Sequence, residues 1–525
     1  MKKSILALGV STLLAGLATT ASAQGLTPLG GPLVVTPTNI GHILVVPYYT
    51  VQEGNATLLN IVNTDKTNGK AVKVRFRGAS NSDDVFDFTL FLSPGDVWAA
   101  EISQNPSTGL ARLSTPDNSC TLPTQVNRDF ITARVNPKAD TANETREGYI
   151  EILNAADIVP GTSVYSAIKH VKGAPPVACS NGARTPDALR PLLTEEGIAA
   201  AGFTSPTTGL FADWSIFNVA EATSWSGVAT AVTVNPLLAQ PDQTTTQVVL
   251  HPQANGTPSG SVELLTADPL FQLYATSGGT AGVQLQHFDL PDLSTPYIAG
   301  GMFPAAAQAL YLSLGLAKTS IKNEYFTDDR VQAQTDWVFS SPTRRYHVAM
   351  DYAATNAADR VVFNPLLLQG YGSLFYNTSN ITVEGSDATR KICVSGIDRT
   401  FWDRSEQYKE SDDDFVISPS PIVPKINLCG EVAVWSINAG DEYAASALAA
   451  SVTRKNIEVG YADGWGEFLT PGAYGLGLPM LGAAFAKATS TNVGAGVKGN
   501  FGLVWEHKYT TPDFSYMATS TPFRK

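Results

Sequence analysis

The chain has 525 residues with 35 Lys plus Arg against 47 Asp plus Glu, a net charge of −12 at pH 7. That balance disfavours binding to nucleic acid or anionic lipid, whose phosphates it repels. Single cores seldom grow beyond about 250–300 residues, so at least two cores are expected.

The first residues have a basic start at Lys2 and Lys3, an apolar run from Ile5 to Leu17 and a small-residue site at Ala21-Ser22-Ala23. This is the pattern of a secretory signal peptide, residues 1–23, with the mature chain starting at Gln24. The apolar run is short for a membrane span and no cysteine follows the cleavage region, so neither a retained anchor nor a lipoprotein is expected. A Pro and Gly rich arm from Gly25 to Thr38 carries the apolar patch Leu33 to Val35. A disordered terminus ending in its own first strand is the favoured reading, and an arm that pairs with its own sheet or with that of a second copy is the other.

From His42 onward come HILVVPYYTV, ATLLNIVNTD, KAVKVRFRGA, DVFDFTLFL and DVWAAEI, short segments rich in β-branched and aromatic residues. In KAVKVRFRG, Val72, Val74 and Phe76 alternate with Lys73, Arg75 and Arg77, which predicts a strand with one dry and one wet face. SNSDD and SPGD between strands are turn chemistry. The habit persists through REGYIEILN, WSIFNVA, TDWVFSS and CGEVAVWSIN to FGLVWEHKY. The expected fold is all-β, built of antiparallel β-sandwiches, Ig-like or jelly-roll-like, with a few short helices. Residues 24–200 are expected to form an N-terminal sandwich and 201–525 a C-terminal sandwich region, with interlocking of the two left open. Helices are predicted in TPDALRPLLTEEGIAAAG, capped by Thr185 and stopped by Gly202, and from Pro304 in PAAAQALYLSLGLAKTS. The uncharged stretch Tyr297 to Ala317 holds Gly300, Gly301 and Pro304 and reads as a buried helix, so no transmembrane helix is expected in the mature chain.

Four cysteines in an exported chain favour disulfides. Pairing Cys120 with Cys179 and Cys393 with Cys429 closes local loops, each worth roughly 4 kcal/mol by chain entropy.

Little chemistry is visible. The six histidines show no HxH or HExxH spacing, and a GxSxG elbow, a Walker loop and a dinucleotide fingerprint are absent from the sequence. No cofactor is therefore expected. His347 and Asp351 share a face if YHVAMDY is a strand, a weak triad motif. Asp328, Asp329, Glu406 and Asp414 are carboxylate candidates that sequence does not rank. FWDRSEQYKESDDDF, residues 401–415, holds eight charges in fifteen positions. Asp412, Asp413 and Asp414 are weak calcium candidates, because they are consecutive and lack the loop glycine. A solvated loop is the favoured reading.

In the blocks ILVVPYYTVQEGNATLLNIVNT, VKVRFRGASNSDDVFDFTLFLSPGDVW, TREGYIEI, NEYFTDDRVQAQTDWVFSSPTRRYHV and LPMLGAAF, the chain resembles large secreted all-β surface proteins of Gram-negative bacteria without assigned biochemical activity. The SDDDF insertion departs from that pattern. The resemblance implies architecture and location and no site residue. The expected function is an exported, non-enzymatic structural or adhesive protein of the cell surface or extracellular matrix, with the periplasm as the other location. Its expected partners are itself, envelope or matrix components, or a glycan. The alternative is a carbohydrate-binding or carbohydrate-cleaving protein using Trp98, Trp225, Trp402 or Trp465. An outer-membrane barrel is the third reading.

Overall fold

The computed structural model describes residues 33–122, 126–174, 206–234, 312–352, 374–408, 425–438, 445–490 and 499–512, together with short pieces between them. Among the described residues thirteen strands make up the first half: β1 (Leu33–Val35), β2 (Ile43–Thr50), β3 (Asn55–Asn63), β4 (Gly69–Gly78), β5 (Asp84–Leu92), β6 (Val97–Gln104), β7 (Ala111–Ser114), β8 (Cys120–Leu122), β9 (Glu147–Ile158), β10 (Phe203–Thr204), β11 (Leu210–Asn218), β12 (Thr223–Val228) and β13 (Thr230–Val234). Their two sheets run β1-β13-β2-β9-β4-β5-β8, with β10 added to β9, and β12-β11-β3-β6-β7. All the pairings are antiparallel. Strand β11 shows why: Leu210, Ala212, Trp214 and Ile216 are buried while Asp213 points out, so each second side chain adds to the core.

The second half has β14 (Ala317–Lys318), β15 (Ser320–Phe326), β16 (Gln334–Ser340), β17 (Val348–Met350), β18 (Val361–Phe363), β19 (Ile381–Glu384), β20 (Lys391–Asp403), β21 (Ile426–Cys429), β22 (Val432–Asn438), β23 (Arg454–Glu458), β24 (Asp463–Leu469), β25 (Leu478–Pro479), β26 (Leu481–Ser490), β27 (Gly499–Glu506) and β28 (Lys508–Thr510). Its larger sheets run β19-β20-β24-β15-β28, with β21 also on β20, and β23-β22-β16-β26-β27. Among the described strands one pair, β22 with β23, is parallel. The protein is thus all-β. Short helices occur at α1 (Ser163–Ile168) and α2 (Arg344–His347), and residues 309–316 are helical where described. Residues 185–201 of the predicted helix lie outside the described residues. Among the described residues no helix is long and apolar enough to cross a membrane.

Strands β10 to β13, beyond residue 200 in the chain, complete the sheets of the first half. The halves then share one contiguous apolar core, in which Tyr48 and Trp214 both meet Phe485, at ring-centroid distances of 6.2 and 5.8 Å. Trp225 Nε1 donates across to the Ala486 carbonyl (2.8 Å). Edge strands β12 and β27 pass so closely that any side chain at Gly502 would collide with the Ser224 carbonyl. Polar groups also bridge: buried Glu147 accepts from the Ser451 and Val452 amides (2.7 and 3.2 Å) and from Gln52 Nε2 (2.8 Å).

The cysteines pair as Cys120 with Cys179 and Cys393 with Cys429. Cys393 and Cys429 stand directly opposite each other on β20 and β21. The apolar patch Leu33 to Val35 forms β1, an edge strand paired with β13 of its own sheet.

Candidate functional site

The strand KAVKVRFRG corrects an expectation. Its alternation holds, but all ten residues of β4 are buried, because the second half covers the face expected to be wet. Charges there survive only by pairing, since an isolated buried ion is strongly destabilising. Lys73 pairs with Asp87, Arg77 Nε lies 3.4 Å from Glu151 Oε2, and Arg134 Nη1 lies 3.2 Å from Asp84 Oδ2. The cover is SPTRRYHV with its flanks. Tyr346 Oη donates to Glu151 (2.8 Å), Tyr352 Oη donates to Asp83 (2.5 Å), and Arg344 pairs with Glu431 (2.7 Å). Asn81 ties the layer down, donating to the Arg390 carbonyl (3.0 Å) and accepting from the Ile392 amide (2.9 Å). Burial pushes the Glu431 carboxyl above its ordinary value, against the pull of Arg344 and Arg345. It also raises the phenols of Tyr149, Tyr346 and Tyr352, which therefore stay neutral donors. Three blocks of the resemblance, VRFRGASNSDD, TREGYIEI and SSPTRRYHV, meet here. The network is chemically rich but sealed: Arg75, Arg77, Arg344 and Arg345 are among the largest fully buried side chains. It locks the two halves together and offers no substrate access.

His347 and Asp351 do not share a strand face. His347 closes α2, and Asp351 follows β17 and donates its amide to the Arg360 carbonyl (2.8 Å). His347 Nε2 does lie 2.9 Å from Ser313 Oγ, but that hydroxyl donates to the Ala309 carbonyl (2.8 Å), so the imidazole is the donor. Both side chains are buried, and an unactivated, sealed hydroxyl is no nucleophile. Asp328 is held by Arg330 Nε (3.0 Å), Asp329 begins an exposed turn, and Glu406 sits in another turn at φ 64°. Asp412, Asp413 and Asp414 lie outside the described residues. Among the described residues, the one cluster with metal-ligand spacing is Glu384 with Cys393 and Cys429. Both sulfurs are in the disulfide and Glu384 is paired with Lys455 (2.8 Å), so no thiolate is present to bind an ion.

Of the four tryptophans singled out, Trp98 and Trp225 are core residues, 0% and 3% exposed. Trp402 and Trp465 meet on an outer sheet face. They are register partners on β20 and β24, and their rings stack at 4.1 Å and 8°. Tyr408 continues the row, 6.3 Å from Trp402, on a return turn bridged to it. That turn is built by Asp403, whose Oδ1 accepts from the Ser405 and Gln407 amides (both 2.8 Å). On the other side, exposed Glu324 of β15 is the register partner of Trp465. Trp465 is 39% and Tyr408 53% exposed, so the row presents ring surface to solvent beside carboxylates. Sequence reasoning singled out the stretch that holds Tyr408 for its charges and not for that ring, and it missed Glu324, since cross-strand register is not written locally.

Compared with known protein families, curated proteins and solved structures, the chain matches none.

Proposed function

We infer that the protein is an exported, non-enzymatic component of the cell surface or extracellular matrix, like the secreted all-β proteins it resembles, and acts by association in a structural or adhesive role. The observation that carries this reading is the row Tyr408, Trp402 and Trp465, solvent-facing aromatics on a rigid sheet, in a molecule whose dense ionic cluster is sealed. Aromatic side chains lose little entropy when they dock and dominate interface energetics. Two disulfides suit an oxidising compartment. The test is binding of purified protein to isolated envelopes and matrix from the producing cells. Replacing Trp402 and Trp465 together by Ala should weaken binding roughly thirtyfold, as for an aromatic hot spot of about 2 kcal/mol. Equal binding by both forms would remove the row from the function, and cytoplasmic retention of the protein would refute export.

The same row favours a second reading, carbohydrate binding. A sugar ring lays its apolar face on an aromatic ring and its hydroxyls need acceptors such as Glu324. Soluble neutral glycans that quench tryptophan fluorescence in the wild type and not in the double variant would select this reading.

A further inference from the structure

We propose that a recess of about 280 Å³ in the first half, between the β5–β6 turn and the residues around α1, binds a small organic oxyanion, the carboxylate of a sugar acid. The recess is assembled by turn chemistry. Ser93, Pro94, Gly95 and Asp96 form a tight turn closed by the Asp96 amide on the Ser93 carbonyl (3.2 Å), with Gly95 at φ 72° where a side chain is strained. Facing it are Tyr165 of α1 and the two residues after that helix, Lys169 and His170, while Lys66 enters from the loop between β3 and β4.

Ser93, His170 and Asp96 invite a triad reading, which the geometry rejects. Ser93 Oγ (3.2 Å) and Asp96 Oδ2 (3.4 Å) both approach the same ring nitrogen, His170 Nδ1. A triad needs the acid on one nitrogen and the nucleophile on the other. Asp96 is instead structural: it accepts from the Ser93 amide (3.1 Å), the Ser93 hydroxyl (3.2 Å) and the Val97 amide (3.0 Å), and these bonds fix the turn and the imidazole beside it.

What remains is a pair of lysines, Lys66 and Lys169, lining a recess whose one carboxylate, Asp96, is engaged by the turn, in a chain of net charge −12. Among the described residues neither Lys66 nor Lys169 has a carboxylate partner, and Lys169 Nζ only overlies the Tyr165 ring at 5.5 Å. Two lysines that line one recess supply charge-assisted donors for an oxyanion. The Tyr165 ring adds apolar surface for the body of a ligand. The volume lies just below the roughly 300–1,000 Å³ typical of small-molecule sites, which suits a ligand no larger than one monosaccharide unit. This site is separate from the aromatic row and stands whether or not that row binds.

The experiment is calorimetric titration of the full protein with D-glucuronate, D-glucose and inorganic phosphate, repeated on Lys66→Met and Lys169→Met. Both lysines are exposed, so the variants should melt as the wild type does. Glucuronate should bind and glucose should not, and each substitution should weaken glucuronate about tenfold, the loss of one charge-assisted hydrogen bond. Glucuronate binding should also shift the His170 ring resonances. Phosphate binding tighter than glucuronate, absence of glucuronate binding, or equal binding by the lysine variants would each overturn the proposal.

Discussion

At the scale of single residues the buried polar groups have decided states, and His507 shows how. Its Nε2 donates to the Val338 carbonyl (2.9 Å), and its Nδ1 accepts from Asn323 Nδ2 (2.8 Å), whose Oδ1 is fixed by the Glu324 amide (2.8 Å). A proton on Nδ1 would meet a donor, and burial lowers the pKa from 6.5 to about 3. Buried His42 is lowered to about 4 for the same leading reason. Because the unfolded imidazoles protonate near 6.5 and the folded ones refuse, their stabilisation is complete above 6.5 and is lost as pH falls toward 4 and 3. The loss reaches about 1.4 kcal/mol per histidine per pH unit. Raised carboxyls at Glu147 and Asp336 act with the opposite sign, so the imidazoles must be followed directly. Ring nitrogen spectra should show His507 neutral, with hydrogen on Nε2, down to about pH 3. Titration near 6.5 would contradict the geometry. Glu151 is the corresponding test of the ionic layer. It serves Arg77, Arg75 and Tyr346, so Glu151→Gln should cost about 3–5 kcal/mol in urea unfolding and Tyr346→Phe about 1 kcal/mol.

At the scale of elements, much was legible and the limits are physical. Alternation in KAVKVRFRG and WSIFNVA identified strands and their apolar faces, SPGD its turn, and short loop closure both cysteine pairs. What alternation does not encode is the layer above a polar face, so β4 read as half solvated when Arg344 to Tyr352 lie over it. YHVAMDY read as one strand, but helix α2 ends inside it at His347, where Arg344 and Arg345 turn inward to meet Glu431 and Asp83. Trp402 and Trp465 were among the candidate tryptophans, but their meeting in one row was out of reach for the same kind of reason, since they are paired by sheet register. Sequence preference also misleads at the seam of β12 and β27. Valine suits strands better than glycine, yet Gly502→Val should lower the melting temperature by several degrees because the Ser224 backbone occupies the space. The control is the neighbouring exposed Phe501, where Phe501→Ser should change stability by less than about 0.5 kcal/mol. Comparable effects at both positions would mean that the seam does not hold the halves together.

At the scale of the whole molecule, chain length argued for at least two cores and left their interlocking open, and the structure shows how the two halves are joined. Strands β10 to β13 return to the first half, Phe485 of β26 fills space between Tyr48 and Trp214, and the ionic layer joins β4, β5 and β9 to α2 and Glu431. Unfolding the second half alone would expose apolar surface on the first and strip Glu151, Asp83 and Glu147 of their cross-half partners. Each of those losses is costly in a dry interior, so a half-folded state carries penalties from both apolar exposure and unpaired charge. Chains of this size usually unfold in stages. Here calorimetry with the disulfides intact should give one transition, with calorimetric and van't Hoff enthalpies in agreement. A fragment ending near residue 237 should remain unfolded when expressed alone. Two separated transitions, or a fragment that gives a dispersed amide spectrum, would mean that the shared core is a contact between independent domains.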